Sequence, residues 1–439
     1  MTKPIVIVGG GLSGLAAAVK VAPNHPVLLL EQKPRLGGRA YSFIDTTTGD
    51  VIDNGQHVLL AGYDRTMDFL KRIGTDHLLE IQDKPTLHLH HPEKGFCKFS
   101  LPGLPSPLHL MFGILATNLF SFSDKMKLLR AGISINFPPA NLINLTINQW
   151  LDSVRQSEET KRSFWEPLAI SIMNEHIAAA SAKVFVGALR HAFLNGWKNS
   201  SLALPRGGLS ELYVDDAIKS IERSGGIVRL NADVVEIVVE NKKAIAVRLK
   251  DGTAIECASV ILAIPHYRLA ELLPPSVLSG GEINPEFLST PSSPIVSIHL
   301  WFEKSFMLQE FVGLIDRRVQ WIFNKKRNDL GRSHLSCVIS AAYDAVEMTN
   351  EELIKMAIED LQTVYAPIPS TPVHSVVIRE KRATFSCTPA VEKLRPNHQT
   401  NIPNLFLAGD WTNTGLPATI EGAVLSGERC AELAMYVSS

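Results

Sequence analysis

Lys3-Pro-Ile-Val-Ile-Val-Gly9-Gly10-Gly11-Leu-Ser13-Gly14 reads as an apolar strand running into a glycine-rich turn and then a helix. The spacing Gly9-x-Gly11-x-x-Gly14 works by removing side chains. Gly9 permits the tight turn, Gly11 lets a pyrophosphate approach the backbone, and Gly14 lets helix pack against strand. The helix start, which includes Ser13, offers free N–H groups and a positive dipole end to phosphates. A second strand at 27–30 ends in Glu31, whose carboxylate can accept hydrogen bonds from both ribose hydroxyls. A 2′-phosphate would be repelled there, so the fingerprint fits FAD or NAD and not NADP. Strand, helix and strand over residues 3–31 form a right-handed unit of a parallel sheet.

The residues that separate FAD from NAD lie further out. Glu31 is followed by Gln32-Lys33-Pro34-Arg35-Leu36-Gly37-Gly38-Arg39. Gly37 and Gly38 permit a second close backbone approach, and Arg39 can neutralise pyrophosphate charge. Asp53-Asn-Gly55-Gln56-His57 is a turn placed to pass beside an isoalloxazine ring. Nearly four hundred residues from the first motif, Leu405-Phe-Leu-Ala-Gly409-Asp410-Trp411 is followed by Ala418-Thr-Ile-Glu-Gly422-Ala423. Asp410 suits a ribityl hydroxyl or a phosphate-bound water. A helix starting at Thr419 or Ile420 would aim its positive end at the flavin N1/O2 edge, which becomes anionic on reduction. Both ends of the chain together point to bound FAD and to a redox enzyme.

Bulk properties agree with an ordered enzyme. The 439 residues, 45% apolar and 20% charged, are enough for two domains with real cores. A formal charge of −1, from 43 basic and 44 acidic residues, gives no reason to expect nucleic acid as a partner. Cys97, Cys257, Cys337, Cys387 and Cys430 are scattered and lack Cys-x-x-Cys spacing, so neither a disulfide scaffold nor a zinc site is expected. The apolar residues 5–22 are interrupted by glycines and carry no basic lead-in, so they read as buried strand and helix rather than an export signal. The expected location is the cytoplasm. Residues 101–120 are too short between their prolines to cross a bilayer. They form either a buried helix or a greasy surface helix lying peripherally on the inner face of the membrane, and Lys125, Lys127 and Arg130 favour the second.

The fold class expected is α/β. An FAD-binding Rossmann-like domain of glutathione reductase type, from segments 1–84, 206–267 and 400–439, interleaves with a mixed α+β substrate domain from 85–205 and 268–399. Helical patterns fall at 147–154, 181–193 and 351–364, and strand patterns at 227–230, 234–239, 244–249, 258–264 and 295–302. Asp251-Gly252 between two apolar alternations signals a hairpin. No repeat or low-complexity tract is present.

These motifs, with Arg35-Leu-Gly-Gly-Arg39, Asp53-x-Gly55-x-His57, Val234-x-x-Ile237 and Glu421-Gly422-Ala423, resemble the flavin amine oxidase and phytoene desaturase superfamily. The resemblance implies that the Val234 backbone contacts adenine. Within the superfamily the chain is most similar to the hydroxysqualene dehydroxylase family. Asp53-Asn-Gly-Gln-His-Val-Leu-Leu60, Phe164-Trp-Glu-Pro-Leu168, Ser181-Ala-Lys-Val-Phe185 and Leu204-Pro-Arg-Gly-Gly-Leu-Ser210 carry that likeness. It implies a long-chain C30 isoprenoid substrate and reduction of hydroxysqualene to squalene, upstream of hopanoids in bacteria. Phytoene-type desaturation and amine oxidation are the alternatives, and a non-enzymatic FAD-containing scaffold is a third.

An Asn-Thr-Pro-like run expected near Ile172 is replaced by Met173-Asn174-Glu175-His176. Glu175 and His176 are candidates to protonate a departing hydroxyl. His57 is a candidate flavin-orienting residue or acid, with structural packing as the other reading. No aromatic residue stands in Thr414-Gly-Leu-Pro-Ala-Thr-Ile420, where an amine oxidase would place a ring, so a hydrocarbon substrate fits better. Trp411 either supplies such a ring or packs in the core. No cysteine stands where the superfamily sometimes tethers flavin, so non-covalent FAD is expected. The histidines of His88-x-His90-His91 read as surface groups without nearby acids, and residues 379–382 read as a solvated charged face.

Overall fold

The computed structural model describes residues 3–278, 281, 283–325, 333–368 and 371–438. Its first layer is a five-stranded parallel sheet in the order Ile227–Arg229, Val27–Leu30, Ile5–Val8, Ser259–Leu262 and Leu405–Leu407. The inner three strands and Leu405–Leu407 are almost wholly apolar and buried, as a parallel sheet covered on both faces requires. Because the strands are parallel, Gly9, Glu31, Ala263 and Gly409 all leave the sheet at one edge.

Two helices cover this sheet, Leu12–Val21 and Ile420–Ser438. A Cβ built on Gly427 would lie 2.0 Å from the Ser13 carbonyl oxygen, so the two helices touch backbone to backbone. A Cβ on Gly14 would lie 1.9 Å from the Gly9 carbonyl oxygen. Gly14 therefore serves the strand–helix packing read from its spacing. The helix Asp64–Ile73 has no side-chain cap of its own. Instead Glu421 accepts from the Arg65 and Thr66 N–H groups at 3.0 and 2.9 Å, which caps it from the C-terminal helix.

The second layer is a seven-stranded sheet in the order His374–Phe385, Ser292–Phe302, Ser333–Ser340, Trp321–Asn324, Phe311–Leu314, Thr86–His91 and Gly95–Ser100. It is antiparallel except where Phe311–Leu314 pairs with Thr86–His91. Helices Leu108–Ala116, Phe122–Asn136, Ile147–Ser153, Glu166–Met173 and Ala182–Leu194 build the remainder of this half. Trp150, Trp165 and Phe185 meet edge to face at its centre, 5.7 to 6.4 Å apart. The helix Asn350–Tyr365 starts from a Thr349–Glu352 capping box.

All strands of the parallel sheet come from 1–84, 206–267 and 400–439, and all strands of the larger sheet from 85–205 and 268–399. We propose these segments as two interleaved domains. Leu202–Pro205 crosses that division, because it pairs with Leu59–Leu60 and Leu79–Ile81 in a small sheet between them. The Asp251-Gly252 turn joins Lys243–Leu249 to the short strand Ala254–Glu256. The apolar run expected at 258–264 is not its hairpin partner; its strand, Ser259–Leu262, enters the parallel sheet because it is apolar at every position.

Substituting Gly427→Ala should cost about 2–3 kcal/mol, because the new methyl meets backbone that cannot yield. Gly132→Ala, on a helix with open space at its Cβ position, should stabilise by up to about 1 kcal/mol. Thermal and denaturant unfolding of both variants checks the contrast.

Candidate active site

At the edge where the parallel strands end, a cavity of about 830 Å³ runs between the two sheets. One limb is polar and glycine-rich. Gly9, Gly11, Ser13, Glu31, Gln32, Gly38, Arg39, Gly55, Gln56, His57, Val234, Gly409, Asp410, Thr419 and Ile420 all line it, so the structure gathers these sequence candidates in one place. Gly14 stands behind the wall. We propose that this limb holds FAD.

The limb has the form that such a group needs. The Gly11 and Gly38 α-carbons face one another across its floor, and a Cβ on Gly38 would lie 3.0 Å from Gly11 Cα. Helix Leu12–Val21 has no side-chain cap at Gly11, which leaves its N-terminus open to a phosphate. Arg35 lines the same wall with its guanidinium stacked 3.3 Å from the Tyr41 ring centre. Its Nη1 is buried without a hydrogen-bond partner, as a donor awaiting an anion would be. Glu31 is held in place by the Gly10 and Lys33 N–H groups, each at 2.8 Å.

The carboxy-terminal turn is fixed more tightly than its sequence implied. Asp410 accepts from Arg39 at 2.7 Å, and Arg39 also donates to the Ala383 carbonyl at 2.8 Å. The two residues read as separate ligands to ribityl and pyrophosphate groups are therefore partners of each other. Arg395, which no motif marks, is buried beneath them and donates to the carbonyls of Asp410, Trp411, Thr412 and Leu416. Its charge is balanced by Glu392 at 3.1 Å. Trp411 packs in the core with its Nε1 on the Ile264 carbonyl at 2.9 Å, beside Phe287 and His266.

Asp53 joins two of the sequence motifs. It accepts from the Leu209 N–H at 2.9 Å and from Ser42 at 2.8 Å, and it pairs with Lys325 at 3.2 Å. The turn it anchors presents Gln56 and His57 to the cavity. His57 Nδ1 lies 2.9 Å from the Gly55 carbonyl, which can only accept, so Nδ1 carries the proton. Burial pushes the imidazole pKa down. His57 is thus neutral near pH 7, with an Nε2 lone pair that accepts a hydrogen bond rather than an acid that gives a proton.

Other candidates are displaced. Glu175 and His176 do not line the cavity. Glu175 is buried, accepting from Tyr343 at 2.6 Å and Ser386 at 2.5 Å, while His176 is paired with Glu166 at 2.6 Å. Asn174 takes the cavity-lining position, in a left-handed conformation that its bonds to Ser293, Thr384 and Ala341 hold. Away from the cavity wall, neither Glu175 nor His176 is placed to protonate a hydroxyl held there. Residues 379–382 also line the cavity, with Lys381 and Arg382 still exposed as a solvated face would have them and Arg382 stacked over Tyr267 at 4.3 Å. His91 is buried beside Glu159 and is no surface histidine. All five cysteines are buried and none lines the cavity.

The second limb is apolar. Leu60, Leu87, Leu89, Phe99, Leu101, Phe164, Leu168, Ile172, Phe193, Phe311, Trp321 and Phe323 line it. Aromatic residues are frequent there, which the sequence reading did not foresee. The strand alternation that points them inward was visible only once strand pairing was known.

Replacing Arg39 by Ala should weaken FAD retention roughly 10-fold, a cost of about 1–2 kcal/mol for a charge-assisted pair. The partly open guanidinium keeps the loss below the about 3–5 kcal/mol of a fully buried pair. The Arg39→Ala/Asp410→Asn double variant should recover part of the stability loss. Flavin fluorescence titration and thermal unfolding measure both effects.

The sequence profile of flavin-containing amine oxidoreductases matches residues 12–435. Hydroxysqualene dehydroxylase from Sinorhizobium fredii is 31% identical, covering 99% of both chains. The 15-cis-phytoene desaturase of Synechococcus elongatus is 23% identical over 98% of this chain and 95% of its own. Among solved structures, an oxidoreductase from Methanosarcina mazei has the same fold, with a TM-score of 0.75 at 19% identity over 98% of this chain and 100% of that one. The chain belongs to the flavin-containing amine oxidoreductase family, on its hydroxysqualene dehydroxylase branch, and is an FAD-dependent oxidoreductase.

Proposed function

We propose that the enzyme reductively removes the hydroxyl of hydroxysqualene to give squalene. The observation that carries this reading is the continuity of the cavity, in which a polar, glycine-lined limb opens directly into a long apolar one. Among the described residues, the carboxylates on the cavity wall are Glu31, Asp233, Glu380 and Asp410. The first two stand beside the nucleotide motif, and the last two stand around Arg39. Among the described residues, the limb beyond them provides no anion to hold a protonated amine, which suits a hydrocarbon chain.

FAD, held without a covalent tether, supplies a hydride from its reduced N5 position when bound. The protein's part is positional. The Gly55–His57 turn sets the edge of the ring site, and neutral His57 accepts a hydrogen bond from the substrate hydroxyl. Apolar walls keep water away from an ionising allylic carbon. Across the reaction the alcohol takes up two electrons and two protons and leaves as hydrocarbon and water. Similarity to phytoene desaturase supports a second reading, oxidation of a polyene, in the opposite redox direction.

We also propose that the helix pair Leu108–Ala116 and Phe122–Asn136 rests on a membrane from which the substrate is drawn. Leu108, Phe112 and Leu115 are exposed on the first helix, as are Phe122, Met126 and Ile133 on the second and Phe137 just after it. Phe122 and Phe137 are 74% and 81% accessible. Lys125 and Arg130 flank this surface with positive charge, suiting anionic headgroups. Leu101, which lines the apolar limb, packs against the buried face of the first helix at Gly113. Among the described residues no helix is long and apolar enough to cross a membrane.

Anaerobic incubation of the FAD-loaded enzyme with hydroxysqualene and a flavin reductant should yield squalene. Oxygen-dependent turnover of a polyene or an amine, with no squalene formed, would overturn the assignment. In a separate measurement the protein should sediment with vesicles of phosphatidylglycerol and phosphatidylcholine. A Phe112→Ser/Phe122→Ser/Phe137→Ser variant should lose roughly 100-fold or more in that partitioning, from about 1 kcal/mol or more per buried ring. Equal sedimentation of the variant would exclude the surface.

A further inference from the structure

We propose that Phe311, Trp321 and Phe323 form an aromatic wall that stabilises positive charge at the allylic carbon as its hydroxyl leaves; this rests on the reductive reading above. Strands Phe311–Leu314 and Trp321–Asn324 pair antiparallel, with Phe311 opposite Phe323 and Gly313 opposite Trp321. The period of two puts all four residues on one face. The three ring centres lie 5.9, 6.1 and 6.4 Å apart, and all three rings line the cavity.

Two details distinguish this wall from ordinary packing. A Cβ on Gly313 would lie 2.9 Å from Trp321 Cζ3 and 2.7 Å from Leu89 Cδ2, so the missing side chain makes the indole's space. Trp321 Nε1 donates to Ser171 at 2.9 Å, which consumes its one polar group. The ring is thereby pinned and offers the cavity no donor, only its carbon framework. Phe311 and Phe323 cluster with Leu204 and Val338, and Trp321 and Val58, the residue after His57, both pack against that cluster, which brings the wall near the turn assigned to the ring site.

The chemistry needs such a wall. When the C–O bond breaks, the electron pair leaves with oxygen, which departs as water after protonation, and the carbon is left cationic until hydride supplies its new C–H bond. Reduced flavin, in returning to its oxidised form, would be the source of the hydride with its two electrons and of the proton that the leaving oxygen takes up. Among the described residues the wall carboxylates all stand in the cofactor limb, and the negative faces of aromatic rings are what the apolar limb provides to a cation. A neutral hydrocarbon would be held as well by leucines, which makes the rings a transition-state feature more than a binding one.

The test compares a squalene analogue carrying a tertiary ammonium at the reacting position with its neutral carbon isostere. Binding to the FAD-loaded enzyme is read by calorimetry, and squalene formation by product assay. Wild type should prefer the ammonium compound roughly 10- to 30-fold, the range expected of desolvated cation–π contacts. Trp321→Leu should lose most of that preference and lower kcat by a similar factor with KM little changed. Trp321→Phe should restore most of both, and Gly313→Ala, which displaces the indole, should resemble Trp321→Leu. Unchanged FAD content in each variant shows that the fold is retained. No ammonium preference in wild type, or a Trp321→Leu enzyme with full kcat, would overturn the wall. Wild type that prefers the ammonium compound yet makes no squalene would defeat the reductive reading and leave the wall standing.

Discussion

The parallel register of Ile5–Val8, Ser259–Leu262 and Leu405–Leu407 is the constraint on which the site depends. Strands of one direction must end at one edge, so the turn at Gly9 and the turn at Gly409 emerge side by side despite their distance in sequence. Backbone contact between Gly427 and Ser13 then locks the two covering helices, which sets where both helix N-termini point. The Arg39–Asp410 pair closes the ring between the two ends of the chain. Arg395 does for the carboxy-terminal turn what a helix would do for its own carbonyls. It gathers four backbone acceptors onto one planar cation, which a neutral side chain has too few donors to manage.

Charge is partitioned along the cavity, and the partition gives each limb its chemistry. The cofactor limb concentrates carboxylates, Arg35, Arg39 and the uncapped N-terminus of Leu12–Val21, where an anionic group would be bound and oriented. The other limb contains rings and branched aliphatic chains. At the junction stands His57, made neutral by burial and by a bond that assigns its proton to Nδ1. A charged imidazole there would oppose positive charge developing at an allylic carbon. A neutral acceptor does not, and it can still orient a hydroxyl.

What the sequence disclosed and what it withheld follow one physical distinction. Gly9, Gly11, Gly14 and Gly38 were legible because the backbone itself demands them, and backbone demands leave fixed spacings. Glu31 and the Gly409-Asp410 turn were legible for the same reason, being tied to strand ends. Arg395, the Phe311–Trp321–Phe323 trio and the cavity position of Arg382 leave no local signature. Their roles arise from which strands pair and which side then faces the cavity. Glu175 shows the converse error. A buried acid looks chemical in sequence, yet Tyr343 and Ser386 engage it as a brace between helix and sheet.

The fold itself does not choose the direction of electron flow. The same fold recurs at 19% identity, and a fold alone does not specify a reaction. Direction is decided by what the second limb stabilises. An amine oxidase must hold a nitrogen base until it gives up hydride, whereas a dehydroxylase must hold a carbon centre until it receives one. Both need a π surface near the ring site, but the reductive enzyme must also keep water from the cation it creates. The apolar limb here, running from Val58 to Leu101 beneath an exposed greasy helix, would meet that second demand under the proposed reaction. On the proposed reductive reading, Leu101 stands where the dry limb meets the surface from which an oily substrate would come, so that one structural choice would serve both substrate delivery and survival of the cation.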